Sequence, residues 1–356
     1  MRLDAFDYHL PKALIAQTPL EDRASSRLMI VDRATGRFEH ATFRDLPSYL
    51  PPDDLLVVNR SKVLRARLLV LRTSGGRVEL LVTRVLDDKR FIALANPMRR
   101  TRAGDTLVGE EGSFACKVIA RENDREVRVE VTSSQDVHEV LATHGHVPLP
   151  PYITRPDREA DRNRYQTVFA EEKGSVAAPT AGLHFTQDLL SCVRSRGIEI
   201  HSLVLHVGLG TFLPLEDDVV ENNRLHGEMF SISGVALDAI ARAKTGGRRV
   251  VAVGTTVSRV LETVSRRGVF DGSRGAGGIA TTRLPEDCAG ETDIFIYPGY
   301  DFQCVDRLIT NFHLPQSSLL LLVCAFLGTE KTLACYEAAV SERYRFYSYG
   351  DAMFIR

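Results

Sequence analysis

Apolar residues recur along this chain in short runs, and the texture between them changes twice. Residues 28–31 and 55–58 are continuous apolar runs of strand length. Pro11 opens a short helical stretch that must stop near Thr18, because Pro19 disfavours helix in the residue before it. From Arg65 the runs shorten and crowd: 67–70, 78–82, 91–94, 115–119 and 127–131 read as strands. They are punctuated by Gly75-Gly76, Asn96-Pro97 and Ala103-Gly104-Asp105, the turn chemistry of a meander. Strands at that spacing predict a small antiparallel barrel. It ends near Val147-Pro148-Leu149-Pro150-Pro151-Tyr152, whose prolines favour a stiff, extended connector.

Beyond the connector the order becomes strand, loop, helix, strand. Thr186 is a suitable N-cap for a helix over 189–196, Gly197 can take the left-handed conformation that closes it, and 198–207 is the next strand. Helices over 238–244 and 256–264 flank a strand over 249–253, and strands over 294–297 and 307–312 follow. Pro315-Gln316-Ser317-Ser318 caps an apolar helix that ends at Gly328, and an amphipathic helix covers 329–343. The glycine-rich stretch 271–278 is followed by no helix, so it reads as a flexible loop and not as a phosphate cradle. Residues 1–62 hold too little helix and strand for a stable unit of their own. The expected architecture is α/β: a mixed or parallel sheet with flanking helices (1–62 and 151–356), plus an inserted small antiparallel β-barrel domain (63–150).

Four of the apolar runs break in the same way, into small, hydroxyl and imidazole residues. They are Ala177-Ala178-Pro179-Thr180-Ala181-Gly182-Leu183-His184-Phe185, Leu205-His206-Val207-Gly208-Leu209-Gly210-Thr211-Phe212, Ala252-Val253-Gly254-Thr255-Thr256 and Leu308-Ile309-Thr310-Asn311-Phe312-His313. In open α/β sheets ligands bind beyond the strand C-termini, where backbone approaches closely and side chains exchange hydrogen bonds. Four such rims predict one shared pocket.

Alternation along 198–207 places His206 last on its face before Gly208, hence at a rim. His184 follows a Thr-Ala-Gly turn just before a helix N-cap, where N–H groups and the helix dipole favour anions; His313 ends another apolar strand. Imidazole titrates near neutrality and serves as acid or base, so three rim histidines suit proton transfer. Taken singly, each is as readily a structural hydrogen-bonding group, and only the recurrence favours chemistry. Gly208-Leu209-Gly210 lacks the third glycine and the helix start of a dinucleotide fingerprint. Gly254-Thr255-Thr256 is equally a cradle for a carboxylate or hydroxyl and a plain helix cap. Arg345 and Asp351 flank a turn whose Tyr347 and Tyr349 either offer π faces to a cation or simply pack. No histidine pair has the spacing that puts two ligands on one helical face, so no metal is expected.

With 356 residues and 44% hydrophobic content the chain has material for two ordinary cores. Its six cysteines form no C-x-x-C pair and several sit in apolar runs, which predicts buried, reduced thiols. The N-terminal residues lack a long apolar signal segment and no run is long enough to span a membrane, so a cytoplasmic location without membrane contact is expected. The net charge of -1 hides an asymmetry: residues 60–102 carry twelve Arg and Lys, among them Lys62, Arg65, Arg67, Arg99, Arg100 and Arg102, against Glu79, Asp87 and Asp88. Such an excess is either a footprint for a phosphate backbone or a solvated face balanced elsewhere.

Pro148-Leu149-Pro150-Pro151-Tyr152-Ile153, Arg164-Tyr165-Gln166-Thr167-Val168-Phe169 and the segments 177–185, 205–212, 252–256, 310–315 and 344–353 resemble the S-adenosylmethionine:tRNA ribosyltransferase-isomerase family of queuosine biosynthesis, a likeness that runs from Phe6 to Ile355. The resemblance implies an α/β domain with an inserted barrel. It implies S-adenosylmethionine as a ribosyl-donating co-substrate, with no prosthetic group and no obligate protein partner. It further implies that the acceptor is the aminomethyl group of a 7-deazaguanine at the tRNA wobble position, with epoxyqueuosine-tRNA formed and adenine and methionine leaving. Such chemistry is physically coherent: a sulfonium acidifies the adjacent 5′ C–H, a base removes that proton, adenine leaves more easily when protonated, and the neutral amine attacks the sugar.

On this reading His184, His206, His313 and Asp351, with His226 and Glu228, handle protons and hydroxyls. Asn59, Thr180, Gly182, Gly208, Gly210, Thr211, Gly254, Thr255, Thr256, Asn311, Arg345, Tyr347 and Tyr349 hold substrate, and Lys62, Arg65, Arg67, Arg99, Arg100 and Arg102 face tRNA. Two departures stand out. Asn59-Arg60-Ser61-Lys62-Val63 replaces the family's usual Asn-Asp/Asn-Thr-Arg-Val, and Asn223 stands where the family usually has His before its Met-His-x-Glu segment, here followed by Arg224-Leu225-His226-Gly227-Glu228. They put in doubt any essential role for the missing groups. A nucleotide-dependent methyltransferase or dehydrogenase would instead show a complete glycine fingerprint and leave the basic barrel idle. A non-catalytic RNA-binding module would need basic and aromatic residues but not four polar rims.

Overall fold

The computed structural model describes residues 1–208, 215–268 and 286–356. Gly210, Thr211 and the glycine-rich stretch 271–278 therefore lie outside the described residues. In chain order, β1 (Arg27–Val31) and β2 (Phe38–Thr42) form a hairpin, followed by α1 (Leu46–Tyr49), β3 (Leu55–Asn59) and β4 (Ser61–Val63). Next come β5 (Arg67–Arg72), β6 (Arg77–Val85), β7 (Arg90–Asn96), β8 (Thr106–Gly109), β9 (Ala115–Arg121) and β10 (Glu126–Val131). Then follow α2 (Val137–His144), α3 (Asp161–Arg164), β11 (Glu172–Ser175), α4 (Gln187–Ser195), β12 (Glu199–Leu205), β13 (Glu228–Ile232) and α5 (Gly234–Thr245). The remainder is β14 (Val250–Val253), α6 (Thr255–Arg266), β15 (Cys288–Thr292), β16 (Arg307–Asn311), α7 (Ser318–Leu327), α8 (Thr329–Ser341) and β17 (Ala352–Ile355).

Among the described residues nine strands form one mixed sheet in the order β15-β13-β12-β3-β14-β16-β17-β1-β2. The central strands β12, β3, β14 and β16 are parallel, β17 runs against β16, and β1 is parallel to β17. Central strands buried on both faces must be apolar throughout, which is why they read as unbroken runs. Leu55, Val57, Val250, Ala252 and Leu308 pack on one face with residues of α5 to α8. Leu56, Val58, Val251, Val253 and Ile309 pack on the other with Leu189, Leu190 and Val193 of α4.

The chain leaves this sheet through β4, makes the closed antiparallel barrel β10-β7-β6-β5-β8-β9, and returns through β11, which pairs with β4. Inward residues such as Leu68, Val70, Leu80, Val82, Ala93, Val118 and Val129 fill the barrel as a separate core.

Some expectations differ from the structure at the sheet margins. Residues 294–297 are not a strand; the edge strand is β15, paired with β13, whose sequence Cys-Ala-Gly-Glu-Thr carries almost no apolar signal because Thr292 is its one fully buried residue. The stretch after Pro11 makes only a single 3-10 turn, Lys12–Leu14. The six cysteines are free, four of them buried (Cys116, Cys304, Cys324 and Cys335). Among the described residues no single helix is long and apolar enough to cross a membrane.

The register fixes where a site can form. Because β12, β14 and β16 are parallel, their C-terminal ends share one edge. Because β17 opposes them and β1 runs with β17, the residues preceding β17 and β1 reach that same edge.

Candidate functional site

At that edge lies a cavity of about 310 Å³. It is lined by Val207 beyond β12, by Gly254, Thr255 and Thr256 beyond β14, and by Thr310, Asn311 and His313 at the end of β16. Tyr347 and Ser348 before β17 and Ala178, Pro179, Thr180 and Ala181 add to the wall. Gly254 makes the turn possible: at φ +94 and ψ 159 it occupies a region open essentially to glycine, and its N–H donates to the Ile309 carbonyl (2.8 Å). The chain then passes straight into α6, so that helix presents its N-terminus to the cavity. A second helix does the same, since Ser317 and Leu319 also line the space and Ser317 caps α7 through the Leu320 N–H (3.2 Å). Two positive helix ends favour an anionic group between them.

Three lining residues retain buried polar atoms with no protein partner: Thr256 Oγ1, Asn311 Oδ1 and Tyr347 OH. Asn311 shows why. Its amide nitrogen donates to the Tyr347 carbonyl (3.0 Å) and to His184 Nε2 (3.1 Å), which fixes the amide and leaves its oxygen as an unused acceptor. Since His184 Nε2 accepts, the ring proton sits on Nδ1 and is donated to Ser26 Oγ (2.7 Å). The ring also stacks on Phe43 (4.8 Å between centroids). Burial, and then the charges of Arg23 and Arg345, push the His184 pKa down to about 3, so the imidazole is neutral. His184 thus stands behind the cavity wall and reaches it through Asn311.

His313 does line the cavity. Its backbone N–H donates to Tyr336 OH (3.1 Å), its carbonyl accepts from Tyr8 OH, and ring Nε2 meets Thr310 Oγ1 (2.8 Å). Burial takes its pKa down to about 3 as well. Tyr347 is held at φ +74, with its ring 4.0 Å from that of Tyr152, a cavity residue whose hydroxyl bonds Ser348 Oγ.

Other expected site residues serve the frame around this cavity. Asp351 is buried and accepts the N–H groups of Arg27 (2.9 Å) and Arg345 (2.7 Å), clamping β1 to the turn before β17; burial raises its pKa. The Arg345 guanidinium donates to the Thr18 carbonyl, and Tyr349 OH donates to Asp161 (2.8 Å). Asn59 bridges strands, taking N–H groups from Ser61 (3.0 Å) and Leu205 (3.1 Å) and donating to the Leu205 carbonyl (3.0 Å). Gly182 lets Phe169 and Thr167 pack where a Cβ would come within 2.7 and 2.8 Å. His206 packs over Gly174, outside the cavity lining, with its pKa lowered by burial and partly restored by Glu172.

Gly208, His226 and Glu228 line a second, larger cavity of about 770 Å³ between the barrel and the sheet. Glu228 accepts the Gly208 N–H (2.8 Å) and pairs with Arg259 of α6, both side chains being buried. Arg259 and Tyr152 were not foreseen as site residues. Arg259 gave no signal, since a single Arg in a helix ordinarily faces water; Tyr152 lay within the proline-rich connector segment.

Residues 3–355 match the model of the queuosine biosynthesis protein family. The chain belongs to that family. It is 48% identical over 356 residues, covering 100% of both chains, to the S-adenosylmethionine:tRNA ribosyltransferase-isomerase of Heliobacterium modesticaldum. The crystal structure of S-adenosylmethionine tRNA ribosyltransferase from Thermotoga maritima is 34% identical, with a TM-score of 0.55, covering 99% of this chain and 100% of that one.

Both departures from the queuosine biosynthesis pattern have structural accounts. Asn223 accepts the N–H groups of Glu216 (2.9 Å) and Asp217 (3.1 Å) and donates to the carbonyls of Asp217 (2.9 Å) and Val219 (3.0 Å), so it organises a loop that lines the larger cavity. Arg60 is neutralised by Glu171 (3.2 Å) and Glu172 (3.8 Å). The barrel cations fall into two groups. Arg67 opens β5 and is paired with Glu79 (2.8 Å), with Lys62 and Arg65 just before it. Arg99, Arg100 and Arg102 are exposed near the other end, where the Arg72 guanidinium donates to the Arg100 carbonyl. The length of β5 separates them by roughly 17 Å.

Proposed function

We propose that this chain transfers and isomerises the ribosyl group of S-adenosylmethionine onto 7-aminomethyl-7-deazaguanine in the tRNA wobble position, giving epoxyqueuosine-tRNA, adenine and methionine. The single observation that carries this reading is the cavity at the sheet edge, where three parallel strand ends and two helix N-termini converge beside unpartnered polar atoms of Thr256, Asn311 and Tyr347. Its size is within the range of small-molecule sites.

In this reading residues 1–62 and 151–356 bind the donor. The methionine carboxylate sits at the starts of α6 and α7, near Thr255 and Thr256. The paired rings of Tyr152 and Tyr347 face the sulfonium, and Asn311 Oδ1 accepts a hydrogen bond from the nucleoside. His313, a neutral imidazole on the cavity wall, moves the proton between the 5′ carbon and the departing adenine, while His184 holds Asn311 in place. The amine of the acceptor, giving up a proton, then forms the new bond to the sugar carbon that adenine left, and methionine leaves with the sulfur electrons as a sugar oxygen closes the epoxide in its place. Residues 63–150 engage the anticodon arm through exposed Lys and Arg, a role in keeping with work on tRNA in the cytoplasm.

Labelled S-adenosylmethionine tests this. Adenine and methionine released in equal amounts, and only in the presence of tRNA carrying the aminomethyl base, is the expected result. A methyl group on RNA, or no consumption of the donor, contradicts it.

A further inference from the structure

We propose that the larger cavity between barrel and sheet receives the acceptor base, everted from the anticodon loop, with Arg84 and Arg125 at its mouth holding the flanking phosphates. The inference rests on the donor occupying the smaller cavity. A bond between the acceptor nitrogen and the donor sugar requires the two reactants to lie about 3 Å apart before reaction, so the acceptor must occupy space that shares a wall with the donor.

The larger cavity meets that condition. Leu319 lines both spaces, and two neighbouring pairs, Val207 with Gly208 and Leu215 with Glu216, put one residue into each. The groove of about 690 Å³ between β5 and β6 and the proline-rich connector shares no residue with the donor cavity, and two further alternatives fail on size or shape. The crevice beside His184 holds about 20 Å³, room for roughly one water. The depression over residues 7–15 shares Leu314 and Pro315 with the donor cavity but is an open surface dip without barrel residues.

The walls suit a flat, cationic-tailed base. Ile92 and Leu94 point away from the barrel core, opposite Phe91 and Ala93, and line the cavity from one side; Ile294 and Leu322 line it from the sheet side. Apolar walls on two sides fit a base taken out of its stack. The exposed Glu216 carboxylate supplies negative charge for an aminomethyl cation, that of Glu228 being paired with Arg259. Arg84 on β6 and Arg125 before β10 are exposed, and neither is in an ion pair among the described residues, so both are available to phosphates.

An anticodon stem-loop with 6-thioguanine at the wobble position, irradiated on the full-length protein, is expected to crosslink to peptides from 83–94, 123–126 or 216–228. Crosslinks confined to 7–15 or 99–102 overturn the proposal. Leu94→Trp is expected to raise KM for the modified tRNA tenfold or more while the calorimetric Kd for S-adenosylmethionine stays within twofold, which also shows that the variant is folded. An unchanged KM overturns it. The double variant Arg84→Ala, Arg125→Ala is expected to reduce the log–log salt slope of stem-loop binding by about two, and an unchanged slope counts against the proposal. Failure of the donor assignment shows up separately, as a Kd for S-adenosylmethionine that ignores Thr256→Val and Asn311→Ala.

Discussion

At the residue scale the two buried imidazoles play different parts. His184 and His313 both have pKa values lowered from 6.5 to about 3, so the native protein keeps them neutral. Above pH 6.5 neither state is protonated and their contribution to stability is complete. As pH falls from 6.5 toward 3 the unfolded chain takes up protons that the native one refuses, and stability drops by about 1.4 kcal/mol per pH unit for each ring. Histidine NMR signals of these two residues are therefore expected to stay flat between about pH 5 and 8, and His184→Gln is expected to remove about one proton from the slope of urea stability over the acid half of that range. A ring that titrates near neutrality contradicts the burial argument. His313→Ala is expected to lower kcat by about a hundredfold or more. His184→Ala is expected to act mainly on donor affinity, through Asn311, as calorimetry would read. Residue types at the rims were legible in the sequence. Which imidazole faces the cavity was not, because position along a strand does not say where the side chain of a following turn will point.

At the element scale, the turn from β14 into α6 decides the shape of the donor cavity. Gly254→Ala meets tolerable space, with Ala181 Cβ at 3.5 Å, but puts a side chain on backbone at φ +94. A loss of about 1–3 kcal/mol in urea unfolding, with weaker donor binding, is expected; unchanged values for both contradict the assigned role. Central strands and barrel strands could be read because burial imposes apolar runs or alternation on them. The hairpin strand β2, mostly exposed, and the edge strand β15 carry no such imprint. Residues 294–297 misled in the opposite sense: Ile294, Phe295, Ile296 and Tyr297 pack against the core without a ladder. The chain that follows them is anchored by the buried Glu262 carboxylate, which accepts N–H groups from Gln303 (2.9 Å), Cys304 (3.0 Å) and Val305 (2.9 Å).

At the scale of the whole molecule, a near-neutral chain gathers an excess of positive charge in residues 60–102, the first part of the inserted barrel, and brings polar ends of three parallel strands to one cavity of the sheet. Basic composition was readable in 60–102, but not its distribution, since Arg67 is consumed by Glu79 while Arg99, Arg100 and Arg102 remain open. Replacing those three by Ala is expected to weaken tRNA binding and flatten its salt dependence by up to about three in log–log slope, leaving donor affinity unchanged by calorimetry. Weakened donor binding instead would mean that the barrel acts on the sheet and not on tRNA. Everything in the account turns on where the donor sits. Crystals grown with S-adenosylmethionine test that directly: the account predicts the adenosine and methionine moieties in the cavity walled by Thr255 and Thr256, Asn311 and His313, and Tyr347, in contact with at least three strand ends. Density for the donor at any other place, with that cavity filled by solvent, would contradict it.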